Sequence, residues 1–387
     1  MLGTGGGGCC SDRDDSETAG AGDERSGAPA GGPDVVGLGQ AMVDYAGWVG
    51  DEFLREFSLE KGQRHCIGQE DRGRILEGLD AGDFKVSAGG SLSNTLVALA
   101  RLGSGADARA RPDDPLRVAM AGPVGDDPVG AFYRAELQRA GVSFLSPPGE
   151  GTTGTVVVLT SPDAQRTMLS HQGSAGSLAL DAGTRAAIRG ARLLLIEGYL
   201  WEMGATLGAV REAIAEARAA GAQVALTASD STLVERHRED LLGVLAGGVD
   251  ILFANADEAR VLGGSEDVAT ASAALAGMCP LVATTDGHKG SCLYGMGRTH
   301  NVPPHWMPAP PVDTCGAGDA YAAGVLYALL QGAGLDGMGR AGARVASSVI
   351  SQRGARLGAE DARQLVARLP MHMHLTSRLE RRGMTRG

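Results

Sequence analysis

The stretch Asp313-Thr314-Cys315-Gly316-Ala317-Gly318-Asp319 brings two glycines and two carboxylates close together. Pro303, Pro304, Pro308, Pro310 and Pro311 precede it and bar any helix before Asp313. Beyond Gly318 the residues turn small, and Tyr321, Val325 and Leu329 recur at a four-residue spacing, which predicts a helix burying one face. Gly316, Ala317 and Gly318 then form its first turn, where backbone N–H groups have no intrahelical partner. The glycines let an anion approach the backbone, and the helix dipole adds partial positive charge. An anion held there repels Asp319, so a carboxylate at that place makes sense when it has a proton to accept. The stretch reads as an anion site with a base beside it. Taken singly, Asp313 or Asp319 would do no more than cap a helix.

Four further stretches carry polar groups at element ends. Asp44 lies just beyond a buried run from Asp34 to Leu38, where an aspartate alone reads as a turn residue. Gly37-x-Gly39 lacks the third glycine of a dinucleotide fingerprint. Gly89-Gly90-Ser91-Leu92-Ser93-Asn94 precedes an Ala/Leu-rich helix over 96–102; its glycines allow close backbone approach, and Asn94 offers a donor and an acceptor. Asn255-Ala256-Asp257-Glu258 lies beyond the carboxyl end of a strand, where parallel sheets bind ligands. Thr285 closes another strand and leads into Asp286-Gly287-His288-Lys289-Gly290.

The string Asp-Thr-x-Gly-Ala-Gly-Asp, with the other stretches in this order, resembles the PfkB (ribokinase-like) kinases from about residue 34 to 369. The resemblance implies a ribokinase-like three-layer α/β/α fold with a mostly parallel central sheet and a small β lid. It implies ATP-dependent transfer to an alcohol, with ATP and Mg²⁺ as cofactors. Asp319 would be the general base, and Gly316, Ala317 and Gly318 the anion hole. Asp44, Gly89, Gly90 and Asn94 would hold the acceptor sugar, Asp44 by two hydroxyls, with Arg166 a nearby cation. Thr285, Gly287, Gly290 and Thr314 would contact the nucleotide, and Asn255 and Glu258 the metal through water. The spacer from Tyr45 to Ala88 resembles the adenosine kinase branch, implying a nucleoside phosphorylated on its primary hydroxyl, as in purine salvage. A free-sugar kinase of the ribokinase or fructokinase type is the alternative. A non-catalytic relative kept for assembly would show a lost base or a broken anion hole, and both are intact here.

These residues need strands and helices to hold them. Val118 to Ala121 reads as a strand, and 131–140 as a helix after the turn Gly125 to Gly130. Two β-rich runs, 152–159 and 166–170, read as a hairpin around Pro162-Asp163. From Leu193 strands and helices alternate: strands 193–197, 224–227, 251–255 and 282–285, helices 204–220, 232–246 and 341–352. That order argues a parallel sheet covered on both faces. Residues 1–33 are Gly-rich and acidic, with too little apolar surface to offset ordering, and read as a disordered tail. Residues 34–369 form the kinase-like domain, with a lid from parts of about 44–88 and 152–172. Residues 104–117 read as an exposed loop and 370–387 as an exposed tail.

The 387 residues carry a net charge of −11, which argues against nucleic acid or an anionic membrane as partner. Hydrophobic content of 43% suffices for a core, but aromatics at 4% leave close backbone packing at Gly and Ala to fill it. The six cysteines show no metal-ligand spacing and read as reduced thiols. Cys9-Cys10 reads as part of an unmodified tail, and His372-x-His374 as part of a solvated one. No run approaches the roughly 18 apolar residues of a membrane span. A cytoplasmic monomer or homodimer acting on a small molecule is expected.

Overall fold

The computed structural model describes residues 31–79, 84–104, 115–163, 165–173, 178 and 180–369. The expectations for residues 1–30 and 370–387, and for most of the 104–117 loop, lie outside them. The strands are β1 Val35–Leu38, β2 Met42–Trp48, β3 Arg64–Cys66, β4 Phe84–Gly89, β5 Val118–Ala121, β6 Val142–Phe144, β7 Gly154–Thr160, β8 Arg166–His171, β9 Leu193–Glu197, β10 Gln223–Thr227, β11 Ile251–Asn255, β12 Leu281–Thr285, β13 Ser291–Gly295 and β14 Arg298–Val302. The helices are α1 Asp51–Glu56, α2 Gln69–Gly78, α3 Ser91–Ser104, α4 Pro128–Arg139, α5 Ala182–Gly190, α6 Leu207–Ala219, α7 Ser231–Arg236, α8 Arg238–Ala246, α9 Ala256–Gly263, α10 Val268–Ala276, α11 Ala317–Leu330, α12 Leu335–Ile350 and α13 Ala359–Arg368.

Nine strands pair in the order β14-β13-β12-β11-β10-β9-β1-β5-β6. From β12 to β6 every neighbour is parallel; β13 and β14 add an antiparallel hairpin at one edge. The central strands are apolar on both faces because helices cover both. Val35, Leu195, Ala225 and Phe253 face a core shared with α3, α4, α11 and α12. Val36, Leu194, Val224 and Leu252 face a second core shared with α5 to α10. That makes three layers. A second sheet, in the order β3-β8-β7-β2-β4, stands apart from the first. Its Val157, Leu159 and Leu169 form a third core with Leu54 of α1 and Ile75 of α2.

Side-chain caps fix several helix starts. Asp127, Asp181, Asp230 and Asp267 each accept a backbone N–H of the helix they precede, satisfying donors that the helix itself cannot.

Three expectations shift. Asp44 sits inside β2, not in a turn after the first strand, because that strand ends at Leu38 and the chain re-enters the second sheet at Met42. The helix expected over 232–246 is two helices, since His237 (φ −116°) leaves helical geometry; beside it, Arg236 is tied to Glu202. The helix after Gly318 is buried on nearly every side rather than one, wedged between α3 and α12. Its small residues make that possible. A Cβ on Gly324 would lie 2.6 Å from the Ala341 carbonyl of α12. Gly324→Ala is therefore expected to force the two helices apart and lower unfolding free energy by about 1–3 kcal/mol. Urea titration should show a lower midpoint at an unchanged slope; an unchanged midpoint would refute the close approach.

Candidate active site

The parallel strands deliver their carboxyl ends to one edge of the large sheet, and the polar residues collect there. The registers Glu197↔Thr227 and Asn255↔Thr285 line up the last residues of β9 to β12 along that edge. α3 and α11 begin beside it. Their starts are bound together: Ser91 Oγ donates to Asp319 Oδ1 at 2.6 Å, and Asn94 Nδ2 to Oδ2 at 3.0 Å. Thr95 Oγ1 adds a bond to the Asp319 carbonyl at 3.3 Å.

The turn before Asp319 is held from outside. Gly316 adopts φ +76°, and a Cβ there would lie 2.6 Å from the Ala355 carbonyl, so only glycine fits without strain. Val312 N–H donates to the Ile350 carbonyl at 2.8 Å. Asp313 accepts from Cys315 N–H at 3.0 Å, Gly354 N–H at 3.1 Å and Arg166 Nη1 at 3.1 Å. Burial alone would raise the Asp313 carboxyl, but those donors together hold it down at about 2. Arg166 reaches this turn from β8 and also donates to Cys315 Sγ at 2.7 Å. A Cβ on Gly318 would meet nothing within 4 Å, so the turn is open to the cleft.

Asp44 of β2 lies opposite Ser87 of β4 and against Gly89, where a Cβ would run into its carboxylate. Gly90 takes φ +89°, turning the chain from β4 into α3. Sequence reasoning missed Glu197. Its carboxylate accepts Gln40 N–H at 2.9 Å and Leu92 N–H at 3.1 Å, joining the loop after β1 to the first turn of α3. The signal was a lone acid ending the apolar run Leu193 to Ile196. Ser91 and Arg356 were missed too. Ser91 lies within a motif whose glycines and Asn94 drew the attention, and Arg356 packs near residues more than 200 positions away.

On the donor side, Asn255 caps α9: its Oδ1 accepts Asp257 and Glu258 N–H, each at 2.9 Å. Glu258 returns both oxygens to Asn255 N–H and Nδ2, at 2.8 and 2.7 Å. This reciprocal pair is a capping box. Gly287 (φ +51°) and Gly290 (φ +96°) shape the turn after Thr285, closed by Asp286 N–H on the Gly290 carbonyl at 2.8 Å. The Thr314 carbonyl accepts Ala317 N–H at 3.3 Å. Thus Asn94, Asp319 and the 313–318 turn form one bonded unit, while Asp44, the Asn255–Glu258 pair and the 285–290 turn are each held by bonds of their own.

Residues 64–362, well over half the chain, match the pfkB family carbohydrate kinases. This chain belongs to the PfkB family. It is a phosphotransferase of the kinase type, with a ribokinase-like fold. It is 28% identical to a 5-dehydro-2-deoxygluconokinase of Shouchella clausii over 82% of this chain and 90% of the relative. It is 27% identical to a nucleoside kinase of Methanothermobacter thermautotrophicus over 72% of this chain and 84% of the relative. Among solved structures, an adenosine kinase from Sinorhizobium meliloti superposes with a TM-score of 0.75 at 32% identity, covering 86% of this chain and 99% of that one. A probable sugar kinase from Rhizobium etli gives 0.76 at 27%, covering 88% and 100%. Relatives of this PfkB kinase thus carry both sugar and nucleoside names. No helix among the described residues is long and apolar enough to cross a membrane. The described cysteines Cys66, Cys279, Cys292 and Cys315 are free thiols.

Burial dominates the electrostatics of the cleft. It pushes Asp44 and Asp319 up to about 6, and Glu197 and Glu258 up to about 7, from ordinary values of 3.8 and 4.5. Each carboxyl therefore binds its proton more tightly folded than unfolded. Its contribution to stability is complete below the unfolded value and lost as pH rises through 6 to 7. The thermal midpoint of the ligand-free PfkB kinase is expected to fall between about pH 5 and about pH 8 at constant ionic strength. A midpoint that climbs over that range, read by scanning fluorimetry, would show that these acids are not held protonated by the fold.

Proposed function

We propose that this kinase transfers the γ-phosphoryl group of ATP to the primary hydroxyl of a ribofuranosyl nucleoside. The observation that carries the reading is the cleft face of the smaller sheet, which acts as the lid. Successive residues of a strand point to opposite faces. One face of β7 and β8 packs on α1 and α2. The other presents three rows: Asp44, Val156 and Ser170; Ala46, Val158 and Met168; Trp48, Thr160 and Arg166. Arg166 meets Asp313 and Arg64 of β3 meets Asp230, so this face looks onto the edge where the polar residues collect. Its middle row has an apolar centre, with Ala46 exposed and Val158 and Met168 half-buried, and runs on into Arg64 of β3 at one end and Lys85 of β4 at the other. A nucleobase lies flat on such a row while Asp44 accepts from the ribose hydroxyls. On the apolar centre of that row the further hydroxyls of a free sugar would go unpaired, and burying them so costs free energy. The likenesses to the adenosine kinase and the nucleoside kinase support the same class.

In this reading Asp44, Gly89, Gly90 and Asn94 orient the acceptor, and Asp319 takes the proton of the attacking hydroxyl. Each Asp319 oxygen that accepts from Ser91 or Asn94 keeps a second lone pair for that proton. A proton affinity near 6 suits a base working at neutral pH. The amides of Gly316 and Gly318 are placed to meet the charge that develops on the transferring group, while that of Ala317, expected to join them, is taken by the Thr314 carbonyl and closes the turn. Arg166, already at that turn, adds positive charge beside it, and Thr285, Gly287, Gly290 and Thr314 border the nucleotide. Glu258 fits a Mg²⁺ site held through water: each of its oxygens accepts one hydrogen bond from Asn255 and keeps a lone pair, whereas Asn255 Oδ1, expected to share the metal, already accepts two backbone N–H groups and serves to hold Glu258. When bound there, Mg²⁺ would supply positive charge that offsets the charge of the donor phosphates.

Asp319→Asn keeps size and hydrogen-bonding reach but cannot take the proton. Its kcat is expected to fall by about 10²–10⁴-fold with ATP binding retained. Near-native turnover would end the base assignment. Substrate class is read from a panel with Mg-ATP: adenosine or another nucleoside should exceed ribose and fructose in kcat/KM by at least about tenfold. A free-sugar kinase is the second reading, favoured by the S. clausii relative. Equal or better use of a free sugar would establish it and overturn the nucleoside reading.

A further inference from the structure

Arg356 lies in the loop between α12 and α13 and has no part in the motifs described so far. Its guanidinium is turned inward. Nη2 donates to Ser93 Oγ at 3.2 Å, while Nε is buried with no hydrogen-bond partner. The loop is pinned on both sides of it: Gln352 Nε2 donates to the Arg356 carbonyl at 3.2 Å, and Arg101 of α3 to the Leu357 carbonyl. Ser93 is fully buried, and its hydroxyl donates to the carbonyls of Gly89 and Gly90. Those are the two glycines that turn β4 into α3, and Gly89 is the one pressed against the Asp44 carboxylate. A chain of contacts therefore runs from the guanidinium through Ser93 and the Gly-Gly turn to Asp44.

We propose that Arg356 is a positioning residue: it is the counter-charge of the acceptor-site carboxylate Asp44 and, through Ser93, fixes the Gly89–Gly90 turn against it. The inference rests on Asp44 as the acceptor-binding acid. A carboxylate in that position needs to be ionised to accept from two hydroxyls, and burial works against it. The positive charge that opposes burial there is Arg356, which lowers the proton affinity of Asp44. Arginine is suited to this place because it stays charged when desolvated. The other groups around the pair are Tyr133 and Glu136 of α4 and Arg101 of α3; beyond Tyr133 stands Glu197 of β9, which in turn faces Asp319 of α11. Glu136 attracts Arg356 and Arg101 repels it. Lys85 lies two residues along β4 from the partner of Asp44, on the same face.

The test uses the full chain with Mg-ATP, adenosine and ribose as acceptors, and a ¹³C-carboxyl NMR titration of the ligand-free protein, with the Asp44 signal assigned by its absence in Asp44→Asn. Arg356→Gln removes the charge but can still reach Ser93. Its Asp44 titration and the acid limb of kcat/KM for the acceptor should both move up by about one pH unit. The acceptor KM should rise several-fold near pH 6 while the ATP KM stays within about twofold. Arg356→Lys, which restores the charge, should return both midpoints to the parent values. Ser93→Ala should raise the acceptor KM without moving either midpoint. An unmoved Asp44 titration in Arg356→Gln overturns the inference, as does an equal rise in both KM values. If the Gln variant does not fold, an Arg356→Lys titration displaced from the parent overturns it, and one that coincides with the parent supports it. If the titration moves but Asp44→Asn leaves the acceptor KM unchanged, the acceptor-site reading of Asp44 falls instead, and the two failures are told apart.

Discussion

The structure hangs on the bond between two helix starts. Ser91 and Asn94 at the beginning of α3 hold both oxygens of Asp319 at the beginning of α11. Each helix belongs to a different stretch of chain, and neither motif means much without the other. Glu197 fixes the first turn of α3 to the loop after β1, so the unit is anchored to the end of β9 in the large sheet as well. A carboxylate so placed gives up hydration for a few directed hydrogen bonds, and its proton affinity rises in consequence. The groups that position the base also tune it.

Much of this was legible in the sequence because local rules and the site agree. The runs 193–197, 224–227, 251–255 and 282–285 are short and continuously apolar until they end at polar residues, as strands covered on both faces are, and each became a strand within a residue of its expected bounds. The Gly-Ala-Gly turn announced a helix start, and Gly316 does enter it in the left-handed region. What the sequence hid were partners far apart in the chain. Nothing local marks Ser93 as the contact of Arg356, or Arg166 as the contact of Asp313. Nor does a four-residue spacing tell one buried face from burial all round. Alanine and glycine are neutral in such a pattern, and only the neighbouring helices decide whether their side is covered.

The two sheets divide the labour through one property of strands. In the large sheet both faces are apolar and covered, so function is confined to strand ends. In the small sheet only one face is covered, and the other is free to carry chemistry along its whole length. Asp44, Ala46 and Trp48 share that face through alternation alone. A slip of register by one residue would exchange them for Val43, Tyr45 and Gly47 and turn the carboxylate away from the cleft.

The margins of both sheets bear on how this chain behaves in a crowded solution. An unpaired strand invites a second chain to add to it. The large sheet ends on one side in β6, three residues long, and on the other in β14, which Pro303 and Pro304 follow at once. β3 is equally short, and β4 is packed against α4 with Lys85 exposed on it. Each margin is thus cut short, ended by proline, or carries a helix and a charge. With fourteen strands among its described residues and few aromatic residues, the protein thereby offers little at these margins to template its own aggregation.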